Sequence, residues 1–516
     1  MKIWFAEHNW PWQPERYRYP AEQMLLTLFP GEKPEYPETP PDLEGGQGIL
    51  IGLSRGRVKA SISVLAKRGG QLRNGVTSFS AEKLDEGPEQ VYHTVSHALK
   101  QAFYKAGTAL LGYELPWGSL TGVRPVKLPT KAMLAGRTAR QAERELCKEY
   151  HVSPPRAALA VECAQAALAV RKRLRKDGLA LYIGIPFCPT RCAYCSFISS
   201  DVKGALALVE PYVDALCREV ELAGALLRER GLHISCAYMG GGTPTTLSAP
   251  QLHKLLSVVE DCLPMEGCAE FTVEAGRPDT ITPDKLETLR DHGIRRISIN
   301  PQTMEDSVLR AMGRAHTAAQ ITEAMALAGE RFGALVNMDL IAGLPTDTEE
   351  GFGRTLDQVL AMSPANITVH TLALKKGSRL TEESLTEAGG TLCSPGTVEA
   401  MLALAADRLR GAGYAPYYLY RQKYMSGSFE NVGWARPGAV CVYNIVMMEE
   451  LQSVLSLGAG GITKLVDPDQ GRIVRLSNPK YAREYLDSWE KISAAKRTAA
   501  DFQAELAGSQ DAGHRC

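Results

Sequence analysis

The sequence lacks the features that mark a membrane-spanning, secreted or strongly charged protein. No run approaches the ~18 consecutive apolar residues of a membrane span, and the first residues lack the apolar segment of a signal peptide. We therefore expect a cytoplasmic protein. Lysine plus arginine and aspartate plus glutamate each total 58, so the formal net charge is zero. Since this balance gives no long-range attraction to nucleic acid or an anionic membrane, we expect neither as a partner.

Cysteine is too sparse for a disulfide scaffold, because only twelve cysteines are spread over 516 residues. Nine of them are scattered singly or in apolar settings, and we expect these to act as small buried hydrophobic residues. The other three lie close together. In a reducing compartment, cysteines at such short spacing act as metal ligands or redox groups.

The order of predicted elements divides the chain into three regions. Residues 1–178 combine short strand-like runs with amphipathic helical stretches, which predicts an N-terminal α+β domain. Residues 179–380 alternate strands and helices, which is typical of βαβ units and a parallel sheet. Six such units favour a partial (βα)6 barrel over a complete eight-unit barrel. Residues 381–516 are predicted to form a C-terminal α+β extension.

The middle region places its predicted strands at regular intervals. They are Leu179–Ile185, Cys236–Met239, Glu270–Glu274, Arg296–Asn300, Asn337–Ile341 and Asn366–Leu372. The predicted helices between them cover about 207–230, 250–262, 283–291, 317–331 and 349–361. Right-handed crossovers bring the carboxyl ends of such strands to one rim, where ligands bind. Polar residues at these strand ends are therefore the candidates for a binding site.

Three cysteines, Cys188, Cys192 and Cys195, directly follow the first of these strands with the spacing C-x3-C-x2-C. Thiolates are the ligands of iron–sulfur clusters. Three of them can hold three irons of a [4Fe–4S] cluster and leave the fourth iron open for the amino and carboxylate groups of S-adenosylmethionine (SAM). A zinc site would need a fourth ligand, but no Cys or His lies between 196 and 215. A C-x2-C redox pair would leave Cys188 unexplained.

The C-x3-C-x-aromatic-C pattern resembles the signature of the radical SAM superfamily. Tyr182, Pro186 and Phe187, which precede the first cysteine, resemble the oxygen-independent coproporphyrinogen III oxidase (dehydrogenase) family. The long N-terminal region, with Leu120-Thr-Gly-Val-Arg-Pro125, resembles the HemZ-like subfamily of that family. The resemblance implies a [4Fe–4S] cluster held by the three cysteines, together with SAM as the second cofactor.

The resemblance also implies roles for residues after successive strands. The glycine segment, which we define as Gly240, Gly241, Gly242 and Thr243, matches the motif that contacts the methionine end of SAM. Its backbone N–H groups can hold a carboxylate. Each residue alone is more often structural, since a strand-end carboxylate can cap a helix and an arginine can form a surface ion pair. The remaining matches are Glu274 and Arg314 for the amino-acid part of SAM, Gln302 and Asp339 for its ribose, and Tyr182 and Tyr194 for its surroundings.

Some family members bind a second SAM molecule, and two positions of this chain correspond to that site. They are Ala373 and, in the glycine-rich stretch Leu457–Lys464, Ile462. Their match implies that this chain takes up to two SAM molecules.

The implied reaction is oxidative decarboxylation of coproporphyrinogen III to protoporphyrinogen IX, in haem biosynthesis. A ferredoxin or flavodoxin would supply the low-potential electron. The tetrapyrrole substrate is polyanionic, so basic residues should line its pocket. The candidates are Arg277, Lys375, Lys376, Arg421 and Lys423.

Two positions depart from the family pattern and keep other functions open. Phe197 stands where the best-characterised members carry a further cysteine, and Gly184 stands where many relatives have histidine. The family also contains haem chaperones, which bind haem without converting it, and relatives that open the haem ring. For a haem-binding protein, His316 and His370 are the first ligand candidates, although a lone histidine more often serves as a hydrogen-bonding group.

Overall fold

The chain forms two compact units in a computed structural model. The structure describes residues 1–516 except 7–8, 191, 193–194, 196–199, 334, 374–391, 423–428, 469–470 and 510–516. Unit 1 comprises Met1–Val161 and Arg421–Phe429, and unit 2 comprises Glu162–Tyr420 and Glu430–Cys516.

Unit 1 is built on a four-stranded sheet of β1 (Ile3–Phe5), β2 (Gly48–Arg55), β3 (Lys59–Arg68) and β4 (Gln71–Ser80), in that order. Strand β1 runs parallel to β2, and the other neighbours are antiparallel. The inward residues of β3 are apolar, so one face of the sheet is buried. The helices are Arg18–Leu28, Pro88–Leu111, Lys127–Leu134, Ala139–Tyr150 and Pro154–Arg171, the last of which includes the boundary at Val161. The predicted N-terminal α+β domain is confirmed.

Helix Pro88–Leu111 packs closely against this sheet at Gly75 of β4. A Cβ atom at Gly75 would lie 2.0 Å from the Ala102 carbonyl oxygen, so the close approach requires glycine. The buried core of unit 1 includes Ile62 and Val64 of β3 and Phe103 of the helix. Helix and sheet thus share one apolar layer.

Unit 2 contains an 11-stranded sheet, in which six central strands lie side by side in chain order and C-terminal strands extend both edges. Its six central strands are mutually parallel and coincide with the six predicted ones, with ends shifted by no more than three residues. They are β5 (Gly178–Ile185), β8 (His233–Gly241), β9 (Phe271–Gly276), β10 (Arg296–Ile299), β11 (Leu335–Ala342) and β12 (Asn366–Thr371). The predicted partial (βα)6 barrel is confirmed.

The helices of unit 2 alternate with these strands. Capping boxes at Ser248 and Thr317 begin two of them, since each side chain accepts a hydrogen bond from the backbone three residues on. No helix in the described part of the chain is long and apolar enough to cross a membrane. The helices are Val202–Glu229, Ala249–Cys262, Pro283–Asp291, Asp306–Ala311, Ala318–Arg331, Glu349–Ala361, Pro395–Gly411, Val442–Glu449, Ala482–Leu486 and Trp489–Ser509.

The C-terminal region extends both edges of the central sheet. On one edge, β14 (Glu430–Ala435) pairs antiparallel with β12, and β13 (Ala415–Arg421) lies beyond it. On the other edge, β15 (Val454–Leu457) pairs parallel with β5 and is followed by β16 (Ile462–Asp467) and β17 (Arg472–Ser477). These strands therefore belong to the same sheet as the six central ones, within unit 2. The predicted domain limits at residues 178 and 380 stay predictions.

A polar network is buried at the amino ends of the central strands. The Arg296 guanidinium lies 3.3 Å from the Glu270 carboxylate and donates to Asn337 Oδ1 at 2.8 Å. Glu270 also accepts from the Tyr443 backbone N–H at 3.1 Å, which fixes the start of helix Val442–Glu449. Because buried charges need such partners, this network holds helix Val442–Glu449 against the amino end of the sheet.

A buried ion pair connects the C-terminal helix Trp489–Ser509 to helix Val202–Glu229. Lys496 Nζ lies 3.0 Å from Glu219, with 1% and 0% of the two side chains exposed. Glu219 also accepts from the Gly458 backbone at 2.7 Å and from the Tyr485 hydroxyl at 2.6 Å. Lys496 donates to the Ser456 carbonyl at 2.6 Å. Both charges are therefore compensated inside unit 2.

Replacing Glu219 by Gln should strongly destabilise unit 2, because Lys496 would remain buried without a counter-ion. We expect a loss of about 3–5 kcal/mol in the free energy of unfolding, measured by urea denaturation followed by circular dichroism. The matched control is Lys254→Met, which breaks the exposed pairs of Lys254 with Glu210 and Asp214 and should cost much less. Equal losses for the two variants would contradict a buried, compensated charge.

Candidate functional site

The cysteine loop, which we define as the segment from Phe187 to Cys195, follows β5 at the carboxyl edge of the central sheet. Phe187–Cys188 forms a short strand, β6, that pairs parallel with β7 (Ser200–Asp201). Cys192 is buried, and the Cys195 backbone N–H donates to the Cys192 carbonyl at 3.2 Å. Among the described residues, no three His, Cys, Asp or Glu side chains are grouped to hold a metal ion. The role of the cysteines as cluster ligands therefore stays a prediction.

The glycine segment lies directly against the cysteine loop. The Gly242 and Thr243 N–H groups donate to the carbonyls of Ile185 and Phe187, both at 2.7 Å. The Thr243 hydroxyl donates to Cys188 Sγ at 3.6 Å. A Cβ atom at Gly242 would lie 2.4 Å from the Phe187 oxygen, so only glycine allows this backbone approach. The structure thus brings the predicted glycine segment to the first predicted cysteine.

Glu274 lies on β9, the strand that pairs with β8, and its carboxylate lies beside the glycine segment. Its carboxylate accepts a hydrogen bond from the Tyr238 hydroxyl at 2.7 Å. A Cβ atom at Gly240 would lie 2.7 Å from Glu274 Oε2, so the glycine makes room for this carboxylate. Burial raises the pKa of Glu274 to about 7, and nearby Asp339 adds to that rise, while the hydrogen bonds from Tyr238 and Gly241 oppose it.

Three stacked tyrosines support this carboxylate from the barrel interior. The Tyr182 ring lies 6.4 Å from Tyr238 with an interplanar angle of 9°, and Tyr443 lies 4.8 Å from Tyr238. Burial raises the pKa of Tyr182 and Tyr238, so both phenols stay protonated. The sequence predicted Tyr182 and missed the other two. Tyr238 could have been found, because it lies two residues before Gly240 and so on the same face of β8.

The two residues predicted to bind ribose are neighbours. The Gln302 N–H donates to the Asp339 carbonyl at 2.9 Å, and the Ile341 N–H donates to the Gln302 carbonyl at 2.9 Å. Through these two bonds, Gln302 pairs with β11 as an isolated parallel bridge. Gln302 adopts a positive φ of 67°, which is uncommon for a residue other than glycine. Such strain is held where the surrounding structure requires it, and it marks functional sites.

Arg314 lies next to the same strand ends. Its guanidinium donates to the Asn300 carbonyl at 2.7 Å and approaches His316 Nε2 at 3.4 Å. His316 is only 3% exposed. Burial, followed by the charges of Arg314 and Arg277, lowers the pKa of His316 to about 4, so it is neutral at neutral pH. A residue buried to this extent is poorly placed to ligate a haem iron.

His370 has one ring nitrogen in a hydrogen bond and the other near a carboxylate. Its Nε2 lies 3.8 Å from Asp339 Oδ2, and its Nδ1 lies 3.3 Å from the Tyr420 hydroxyl. Both histidines considered as haem ligands, His316 and His370, therefore lie among other protein groups. His370 instead connects the aromatic strand β13 to Asp339, a residue that the sequence predicted for SAM.

The basic residues predicted for the substrate pocket are placed differently. Arg277 is 3% exposed and bonded to Thr190 and Asp279, and Arg421 donates to the Leu120 carbonyl at 2.6 Å. Both guanidinium groups already have protein partners, and their use by substrate carboxylates stays a prediction. The positions Tyr194, Phe197, Lys375, Lys376 and Lys423 lie outside the described residues.

The two positions predicted for a second SAM lie in different surroundings. Ala373 is half-buried just after β12. Ile462 begins β16 and is 48% exposed. Their use by a second SAM stays a prediction.

Polar atoms near the site fit a polar ligand. Within the described residues, Thr272 Oγ1, Ser298 Oγ and Asn300 Oδ1 are buried without a hydrogen-bond partner. Ser298 lies directly opposite Glu274 in the strand register, and Thr272 lies two residues before Glu274 on the same face of β9. Buried polar groups normally have partners, so this set is suited to bind the amino-acid or ribose part of SAM. The nearby thiols are suited to iron. The residues present therefore fit both implied cofactors.

Ionisation of Glu274 should make stability fall as pH rises. Its pKa is higher in the folded chain, about 7, than the ordinary 4.5, so the protonated carboxyl favours folding at low pH. That contribution is lost as pH rises from about 4.5 through about 7. Relative to wild type, Glu274→Gln should gain on the order of 1–3 kcal/mol in the free energy of unfolding between pH 4.5 and pH 8.5.

The measurement is urea unfolding across this pH range, with Tyr238→Phe as the comparison variant. The Tyr238 hydrogen bond lowers the pKa of Glu274, so removing the phenol raises that pKa further. The pH range in which stability falls should then move to higher pH. Parallel pH profiles for wild type and Glu274→Gln would show that the carboxyl has an ordinary pKa.

Comparison with known proteins places this site in a family. Residues 182–359 match the radical SAM superfamily. The oxygen-independent coproporphyrinogen-III oxidase-like protein HemZ of Bacillus subtilis (strain 168) is 35% identical over 452 residues, covering 87% of this chain and 89% of that protein. The haem chaperone HemW of Escherichia coli (strain K12) is 28% identical over 325 residues, covering 62% of this chain and 80% of that protein.

A solved structure, coproporphyrinogen III oxidase (HemN) of Escherichia coli, aligns with 64% of this chain and 73% of its own, at 24% identity and a TM-score of 0.49. The HemZ match extends over most of the chain, and membership of the superfamily implies a [4Fe–4S] cluster and SAM. The chain belongs to the radical SAM superfamily, in the family of oxygen-independent coproporphyrinogen III oxidase-like proteins.

Proposed function

We propose that this chain catalyses oxidative decarboxylation of coproporphyrinogen III, converting propionate side chains to vinyl groups. The observation that carries the proposal is a series of contacts. It runs from Cys188 through the glycine segment to Glu274, near which Asp339 lies with Gln302 beside it. The B. subtilis relative, named as coproporphyrinogen-III oxidase-like, supports this choice of substrate.

In this proposal, Cys188, Cys192 and Cys195 hold the [4Fe–4S] cluster and the neighbouring residues hold SAM. The glycine segment leaves room for the methionine end of SAM, since its N–H groups at Gly242 and Thr243 already donate to Ile185 and Phe187. The Arg314 guanidinium binds the SAM carboxylate. Ionised Glu274 accepts hydrogen bonds from the SAM ammonium. Tyr238 keeps that carboxylate in place through its 2.7 Å hydrogen bond.

The ribose would be held by Gln302 and Asp339, which the backbone joins side by side. His370 and Tyr420 restrain Asp339 from the other side. When bound, the cluster and SAM supply the one-electron cleavage that produces a hydrogen-abstracting radical. The buried tyrosine stack closes the inner side of the site and excludes water.

For each side chain, the overall change is loss of one hydrogen atom, CO2 and one electron from a propionate, which leaves a vinyl group. The electron must pass to an acceptor outside the chain. In this proposal, a reduced ferredoxin or flavodoxin serves as electron donor to the cluster. The proposal also includes a cytoplasmic location and a second SAM beside Ala373.

The alternative is a haem chaperone, which the match to HemW raises. The surroundings of the two candidate histidines favour the enzyme, since His316 is buried and His370 Nδ1 lies 3.3 Å from the Tyr420 hydroxyl. A chaperone would bind haem stoichiometrically and yield no vinyl product.

An anaerobic assay with reconstituted protein, dithionite, SAM and coproporphyrinogen III should give a product that lacks two carboxyl groups by mass spectrometry. Cys192→Ala should reduce product to background, because the cluster loses a ligand, whereas Cys163→Ala, at a buried site in another part of unit 2, should retain activity. Formation of 5′-deoxyadenosine without decarboxylated product would reject the substrate while keeping the SAM chemistry. Stoichiometric haem binding without product would favour the chaperone.

Asp339→Asn should weaken SAM binding about 10- to 100-fold, because a hydrogen bond to a charged group contributes roughly 1.5–3 kcal/mol. Equilibrium dialysis with reconstituted protein measures this affinity. Asp357→Asn is the control, since Asp357 forms an exposed ion pair with Arg408 on helix Glu349–Ala361. Equal SAM affinity in the two variants would remove Asp339 from the binding site.

A further inference from the structure

Arg277 is a buried cation that holds the cysteine loop. It follows β9 and is only 3% exposed. Its Nη1 donates to Thr190 Oγ1 at 2.7 Å and to the Thr190 carbonyl at 3.2 Å. Thr190 lies midway between Cys188 and Cys192 in the sequence. The guanidinium therefore contacts the loop between two predicted cluster ligands.

The other side of the same guanidinium pairs with Asp279. Arg277 Nε lies 3.0 Å from Asp279 Oδ1 and Nη2 lies 3.2 Å from Oδ2, so the pair is bidentate. Asp279 is 31% exposed, whereas the Arg277 side chain is 4% exposed. Because water screens the exposed carboxylate more than the buried guanidinium, the positive charge is only partly compensated toward the loop.

The electrostatics of His316 agree with this geometry. The charge of Arg277 lowers the pKa of buried His316, and the charge of Asp279 raises it by less. The field of Arg277 thus reaches a neighbouring strand end. The cysteine loop, which touches the guanidinium directly, lies closer to this charge.

We propose that Arg277 positions the cysteine loop and raises the reduction potential of the cluster that the loop holds. This rests on the proposed cluster assignment and goes beyond the decarboxylation itself. Reduction adds one electron to the cluster, and a nearby buried cation stabilises the more negative state. Net charge and hydrogen bonds around a cluster are established determinants of its potential. Arg277 is thus a positioning residue whose charge has a measurable electrochemical effect.

The test is a redox titration of the reconstituted full-length protein, in which electron paramagnetic resonance follows the reduced cluster. Arg277→Gln should shift the midpoint potential to a more negative value, because the cation is lost. Asp279→Asn should shift it to a more positive value, because the cation then lacks its counter-ion. Arg277→Lys should shift it less than Arg277→Gln, because the charge is kept. The matched control Arg354→Gln, at an exposed pair with Glu305, should leave the potential unchanged.

The opposite signs separate an electrostatic role from simple loosening of the loop. A Thr190→Ala variant keeps the charge and removes one contact, so its cluster should lose iron to a chelator faster at a nearly unchanged potential. Shifts of the same sign in Arg277→Gln and Asp279→Asn, or no shift in either, would overturn the proposal.

The outcome is also separable from that of the proposed function. Opposite shifts in a protein that does not decarboxylate coproporphyrinogen III would support the role of Arg277 and reject the substrate. Unshifted potentials in an active decarboxylase would reject only the role of Arg277. A wild-type protein that takes up no cluster would overturn both proposals.

Discussion

The backbone contact between the glycine segment and the residues after β5 is the constraint on which the site depends. Gly242 and Thr243 donate to Ile185 and Phe187, which extends the pairing of β5 and β8 beyond the end of β5. A side chain at Gly242 would collide with the Phe187 carbonyl. Because the cysteine loop starts at Phe187, this contact fixes the position from which its first thiol projects.

Charge is distributed unevenly around that contact. Carboxylates come from Glu274 and Asp339, on β9 and β11, whereas Arg277 and Arg314 supply cations from the segments after β9 and β10. Each of the four is restrained by backbone or side-chain partners, so little reorganisation is needed when a zwitterionic ligand binds. An amino-acid ligand with one ammonium and one carboxylate matches this alternation of signs.

The opposite end of the sheet is closed by different interactions. Arg296, Glu270 and the amides around them form a compensated network, and helix Val442–Glu449 buries its apolar residues above it. Tyr443 of that helix stacks on Tyr238, which in turn holds Glu274. The network at the amino ends of the strands thus supports the candidate site at their carboxyl ends through a chain of aromatic contacts. It also limits the access of water from the amino end of the sheet.

The sequence by itself determined the barrel and most of the candidate site. Alternating apolar periodicity located all six central strands, and the spacing of Cys188, Cys192 and Cys195 with the glycine segment located the rim where the ligands meet. These patterns are local, so they can be read without knowing which distant residues pack together. The resemblance to a family added Glu274, Gln302, Arg314 and Asp339, which lie at or just after consecutive strands.

Tertiary structure alone decided how the remaining polar groups are used. Arg277 and Arg421 appeared as free basic residues in the sequence, yet both have protein partners, because strands and loops far apart in the chain bring acceptors to them. Tyr443 entered the site on a helix that no local pattern connects with it. Hydrogen bonding and burial depend on long-range contacts, so the sequence could name the residue types of this site but not their partners.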